Sequence, residues 1–216
     1  MWLRHSTERR LLRLILPGLA LVMAGCGSTG PTAPERGAAS TGTPGAAGVE
    51  IPAQAQTMYE QAVAVMASGD FLDAELRLKE FLLQFPGYPG AHVNLAIIHV
   101  NNEDDEAARA AIDAALVINP EYAPALNQHG MLLRRNGKFI EAEAAYLKAV
   151  TASPGYALAH YNLGVLNELY LQRLDVALQH FERYYAIVGD DKQVEKWISD
   201  LTRRVAANQR TANVAE

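Results

Sequence analysis

From Ala53 onward, apolar side chains recur with a helical period in short blocks separated by polar or glycine-bearing turns. The period predicts helices over 53–67, 70–84, 89–101, 104–117, 123–136, 138–151, 157–171 and 174–187. Ser68-Gly69-Asp70 and Asn136-Gly137-Lys138 read as tight turns, glycine supplying the positive φ. Asn101-Asn102-Glu103-Asp104 replaces that signal in the second block. There asparagine is expected to take the left-handed conformation and Asp104 to cap the next helix. After Asp190-Asp191, the residues Val194, Trp197, Ile198, Leu201 and Val205 form one more apolar stripe.

The blocks repeat. Ala91-His92-Val93-Asn94-Leu95-Ala96 is answered by Ala125-Leu126-Asn127-Gln128-His129-Gly130, 34 residues on. Ala108, Ile112, Ala115 and Pro120 are answered by Ala142, Tyr146, Ala149 and Pro154. Small residues such as Ala96, Gly130 and Gly164 let two helices approach, and larger ones such as Ile112, Tyr146 and Phe181 fill the space around them. The closing prolines end each unit. Upstream, Met58, Ala62, Val65, Ala74, Leu78, Phe81 and Pro86 fall in register, with Gln61 where leucine is usual. Downstream, His160, Leu163 and Gly164 match, and Ala177, Phe181 and Tyr184 follow after a one-residue insertion near Leu171–Leu174.

This pattern resembles the tetratricopeptide repeat (TPR). The resemblance implies an all-α, right-handed solenoid of four helix hairpins within 52–189, at about 55–88, 89–122, 123–156 and 157–191. A capping helix is expected at 190–207 and a disordered tail at 208–216. In such arrays the first helices line a concave groove. Projected onto this chain, that face carries Tyr59, Val63 and Met66; then Val93, Asn94, Ile97 and Asn101. The third repeat adds Asn127, Gln128, Met131 and Arg135, and the fourth Tyr161, Asn162, Val165 and Glu168. Asn94, Gln128 and Asn162 share one repeat position, where amides can bond a partner's backbone or their own scaffold. Chaperone-docking TPR domains clamp a terminal carboxylate, but at those positions stand Tyr59, Val63, Asn94, Pro124 and Gln128, and only Asn94 agrees. Tyr88, Tyr122 and Tyr156 follow each closing proline and are expected to pack between repeats.

The front of the chain changes the picture. Arg4, Arg9, Arg10 and Arg13 precede an apolar run from Leu14 to Ala24, too short to span a membrane as a helix. Met23-Ala24-Gly25-Cys26 resembles a bacterial lipobox, which implies a signal peptide over 1–25 and lipidation of Cys26. Arg9-Arg10 only faintly resembles a twin-arginine signal. Residues 26–51, rich in Gly, Ser, Thr, Pro and Ala, are expected to be a flexible linker reaching roughly 25–30 Å. By resemblance to lipoprotein sorting rules, Gly27 after the cysteine favours the outer membrane, periplasm-facing, over the inner.

Charge and cysteine content exclude more than they assign. Cleavage after residue 25 removes four arginines and Glu8, moving the formal net charge from −5 to −8. So acidic a chain without a basic run is a poor nucleic-acid binder. Cys26 is the one cysteine, which rules out an internal disulfide and a Cys-rich zinc site. His92, His99, His129 and His160 occupy repeat core or interface positions, and beside His92 and His99, seven apart on one helix face, no carboxylate or third histidine stands at ligand spacing. No nucleophile elbow, phosphate loop, HExxH sequence or cofactor motif occurs, so no catalysis, metal or cofactor is expected. The reading is a lipid-anchored adaptor holding another envelope protein or a peptide segment of one. It resembles pilotin-type factors of type IV pilus assembly and adaptors of cell-wall enzymes. A small-ligand or metal binder and a self-associating structural lipoprotein are the alternatives, and the oligomeric state is left open.

Overall fold

The computed structural model describes residues 52–214. The expected signal peptide at 1–25, Cys26 and the linker up to Ile51 lie outside them. Among the described residues there are nine helices and no strand. They are α1 (Ala53–Ala67), α2 (Phe71–Gln84), α3 (Pro89–Asn101), α4 (Asp105–Ile118), α5 (Ala123–Arg135), α6 (Phe139–Ala152), α7 (Ala157–Leu169), α8 (Leu174–Val188) and α9 (Lys192–Val214). The first eight pack as four hairpins and α9 packs on α8, giving an α-solenoid with a capping helix.

Each hairpin closes on one small and one large side chain. The register pairs Ala62 with Leu78, Ala96 with Ile112, Gly130 with Tyr146 and Gly164 with Phe181, all buried. Where the first helix gives up its methyl, the second carries a ring. A Cβ on Gly130 would stand 2.5 Å from the Tyr146 ring, and one on Gly164 would stand 2.7 Å from Phe181.

Every hairpin turn places one residue in the left-handed region at the same repeat position. These are Gly69 (φ 87°), Glu103 (φ 61°), Gly137 (φ 73°) and Gln172 (φ 54°). The second turn corrects the asparagine expectation. Asn102 keeps a negative φ of −83°, and Glu103, 34 residues after Gly69, takes the strained position. Asp70 and Asp104 cap α2 and α4 by accepting from the amides of Asp73 and Ala107. Helix α7 ends at Leu169, before the predicted 171 and at the repeat position where α3 and α5 end, and the inserted residue lengthens the turn that follows. That turn reaches back to the third repeat, where Tyr170 packs its ring 4.6 Å from Phe139 and Arg173 meets both Glu143 oxygens. The turn before it does the same one repeat earlier, as Asn136 donates to Asp105 at 2.8 Å.

Both ends of the stack are finished in polar side chains. The second repeat buries Ala91, Asn94, Leu95 and Ile98, whereas at the equivalent positions α1 carries exposed Thr57, Glu60, Gln61 and Ala64. Gln61 is therefore part of a cap, which accounts for its departure from the leucine pattern. At the other end, α9 sits like the first helix of a fifth repeat. Val194 and Leu201 are buried, and Trp197 lies 6.0 Å from Tyr161 and 5.5 Å from Phe181. Positions that would receive a second helix carry exposed Glu195, Ser199 and Thr202. An array needs such terminal units to remain soluble. The tail expected to be disordered from 208 instead continues α9 to Val214. Ala206, Ala207, Gln209 and Arg210 are strong helix formers, and no Gly or Pro interrupts them.

Candidate partner-binding groove

First helices pack on one another, α3 on α5 and α5 on α7, while second helices make no comparable contact. The stack is therefore pinched along the first-helix side, which makes that face the inside of the curve. Three rows run along it, each stepping by 34 residues. Tyr59, Val93, Asn127 and Tyr161 form the deepest. Val63, Ile97, Met131 and Val165 form the middle one, all half-buried. Met66, Val100, Arg134 and Glu168 form the third, also half-buried. The middle row is a continuous aliphatic strip that meets solvent.

The deep row is spent on the scaffold. The Asn94 amide donates to the Tyr59 hydroxyl at 2.9 Å, and Asn162 donates to the Asn127 carbonyl oxygen at 2.9 Å. Asn94 and Asn162 of the expected amide ladder are buried and bonded between repeats, whereas Gln128 is half-buried and Asn127, one residue before it, is the amide that Asn162 meets. Each bond joins one row position to the next position in the following repeat, and Tyr161 meets Trp197 of α9 in the same relation. Buried amides need such partners, since an orphaned one costs about 1–3 kcal/mol. The Tyr59 and Tyr122 hydroxyls converge over Gly90, where a Cβ would be 2.9 Å and 3.2 Å from them. Burial, then Tyr122, push the Tyr59 hydroxyl up to about 12, with the Asn94 bond opposing, so it stays protonated and polar. Tyr88 packs edge-on against Phe81, and burial raises the Tyr122 and Tyr156 hydroxyls as well.

The remaining predicted groove residues divide. Gln128 is half-buried beside the strip. Arg135 is exposed and turned away, donating to the Val100 carbonyl at 2.8 Å and pairing with Asp105 at 3.3 Å. Tyr161 is enclosed by Phe181, Tyr184 and Trp197. Sequence reasoning missed Val100 and Arg134, although both follow Met66 at the repeat period. Among the described residues no group of three metal-ligating side chains occurs. No described helix is long and apolar enough to cross a membrane.

A tetratricopeptide repeat model matches residues 59–123 and 127–192, most of the described structure. The chain belongs to the tetratricopeptide repeat family. Solved TPR structures share the fold. PilF of Pseudomonas aeruginosa is 21% identical with a TM-score of 0.63, over 71% of this chain and 69% of that one. TTC0263, a thermophilic TPR protein of Thermus thermophilus, is 22% identical with a TM-score of 0.61, over 70% and 82%. The first TPR of Spaghetti (RPAP3), solved with the HSP90 peptide SRMEEVD, is 16% identical with a TM-score of 0.51, over 55% and 95%. No curated protein matches in sequence. TPR arrays present extended surfaces that bind segments of other proteins, and this chain is a protein-interaction scaffold of that kind.

Proposed function

We propose that this TPR protein is a non-catalytic, lipid-anchored adaptor that holds a segment of another envelope protein in its first-helix groove. The carrying observation is the half-buried strip of Val63, Ile97, Met131 and Val165, a solvent-facing apolar surface on a scaffold whose ends are polar. Apolar side chains left half-open in a row suit an apolar partner face, and a rigid groove loses little entropy on filling. The polar ends weigh against self-association by stacking. That the TPR of RPAP3 was solved with a peptide supports a segment, rather than a small molecule, as occupant.

Cys26 carries the acyl chains in this reading, and the outer membrane, facing the periplasm, is the location. Assembly of a pilus or secretion machine, or of a cell-wall enzyme complex, is the process it serves. A chemical crosslinking pull-down from membranes, wild type beside Ile97→Gln/Met131→Gln, tests the groove. A partner captured by the first and lost from the second supports the adaptor; recovery of the protein alone sinks it and leaves a self-associating role. Mass spectrometry of the mature N-terminus tests the anchor, and an unmodified Cys26 would reject it.

A further inference from the structure

Among the described residues every lysine and arginine is exposed except Arg134. Six of the others stand in ion pairs: Arg77, Lys79, Arg135, Arg173, Arg203 and Arg204. Among the described residues no carboxylate lies within ion-pair distance of Arg134. Its one hydrogen bond is a long donation, 3.4 Å, to the Asn162 carbonyl oxygen, and Asn162 is itself pinned to Asn127. Along its row it follows Met66 and Val100, and the acid that comes next, Glu168, is taken by Arg204 at 2.7 Å. The last turn of a helix favours a cation, which accounts for the presence of charge on α5 but not for its withdrawal from water. A guanidinium drawn partly out of solvent and left with most of its five donors unspent is a receptor for a bidentate acceptor.

We propose that Arg134 anchors a carboxylate of the groove's partner. The partner is a protein segment whose aliphatic side chains lie along Val63, Ile97, Met131 and Val165 and which carries an Asp or Glu in register with the third repeat. The inference rests on the groove reading given above. It adds a charge requirement that the strip alone does not impose.

Selection of displayed random peptides about twenty residues long, against the full chain, tests it. Peptides recovered on wild type should combine aliphatic residues with Asp or Glu. Changing that acid to its amide should weaken binding about ten- to a hundredfold on wild type and little on Arg134→Gln. The acid-to-amide comparison on wild type needs no folded variant, so it stands even where Arg134→Gln is unstable. Arg134→Lys, which keeps charge but loses the planar fork, should fall between. Peptides that depend on Ile97 and Met131 yet ignore the acid swap overturn this inference and leave the groove intact. Peptides indifferent to Ile97 and Met131, or an empty selection, count against both.

Discussion

His160 on α7 and His180 on α8 face each other with their Nδ1 atoms 3.1 Å apart. His160 Nε2 lies 3.3 Å from the Pro154 carbonyl, which can only accept, so that nitrogen carries the proton. The Nδ1 of neutral His160 is then a lone pair, and His180 must donate from its own Nδ1. Burial lowers both rings' proton affinity, His180 to about 4, with its neighbour adding to the effect; Arg183 of α8 lowers His160 further while the Pro154 bond opposes. Both are therefore neutral near pH 7. In the unfolded chain they titrate near 6.5. A folded value below the unfolded one means stability is complete above pH 6.5 and declines as pH falls toward about 4. Thermal melts of wild type should show that decline, and His180→Asn should make it shallower between pH 6.5 and 4, leaving the share of His92, His129 and His160, which burial also lowers. Nitrogen NMR at pH 7.5 should find His180 as the Nδ1–H tautomer; finding the proton on Nε2 would refute the assignment.

Gly130 lies so close to Tyr146 that alanine forces the ring to move. Gly130→Ala should cost about 1–3 kcal/mol in denaturant melts, although alanine is the better helix former. The second repeat supplies the remedy, because Ala96 is paired there with Ile112. Gly130→Ala/Tyr146→Ile should recover most of the loss. The Tyr146 hydroxyl is buried without a partner, so Tyr146→Phe should leave stability unchanged or raise it by about 1 kcal/mol.

Glu103 at φ 61° carries a backbone cost that glycine does not. Glu103→Gly should stabilise the fold by roughly 1 kcal/mol, read as a higher melting temperature. A fall would mean that the side chain makes up for the strain.

Trp197 holds α9 against Tyr161 and Phe181. Trp197→Ala should cost about 3 kcal/mol. The chain's other tryptophan, Trp2, lies within the segment expected to be cleaved. Fluorescence of the mature protein should therefore report cap release, and an emission change ahead of the loss of helical signal would show the cap opening first.

The 34-residue period was enough to place four hairpins and their closing pairs, because packing a small residue against a large one leaves the same mark in every repeat. Cap geometry was legible where it used ordinary chemistry, as at Asp104. The left-handed turn residue was not, since generic preference points to asparagine while the register imposes Glu103. Helix α9 outran its predicted end because an apolar stripe marks only the packed half, and Ala206 onward is helical by propensity. In the groove, the aliphatic strip could be read by projection. The inter-repeat bonds Tyr59–Asn94 and Asn127–Asn162 could not, because a single-repeat pattern does not say which neighbour an amide will meet. Arg134 was passed over for the adjacent Arg135, although the step of 34 from Met66 through Val100 picks it out, and burial and ion pairing confirm the difference.

Thr57, Glu60, Gln61 and Ala64 at one end and Glu195, Ser199 and Thr202 at the other do more than keep the stack soluble. They fix the number of repeats, and so the length of each row, at four. Packed helices lie about 8–10 Å apart, so the strip is roughly 25–30 Å long, the length of about 17–20 residues of helix. On the proposed groove reading the protein is a gauge of set length with a single berth. A longer partner overhangs it, a second cannot share it, and more capacity requires more copies of the chain.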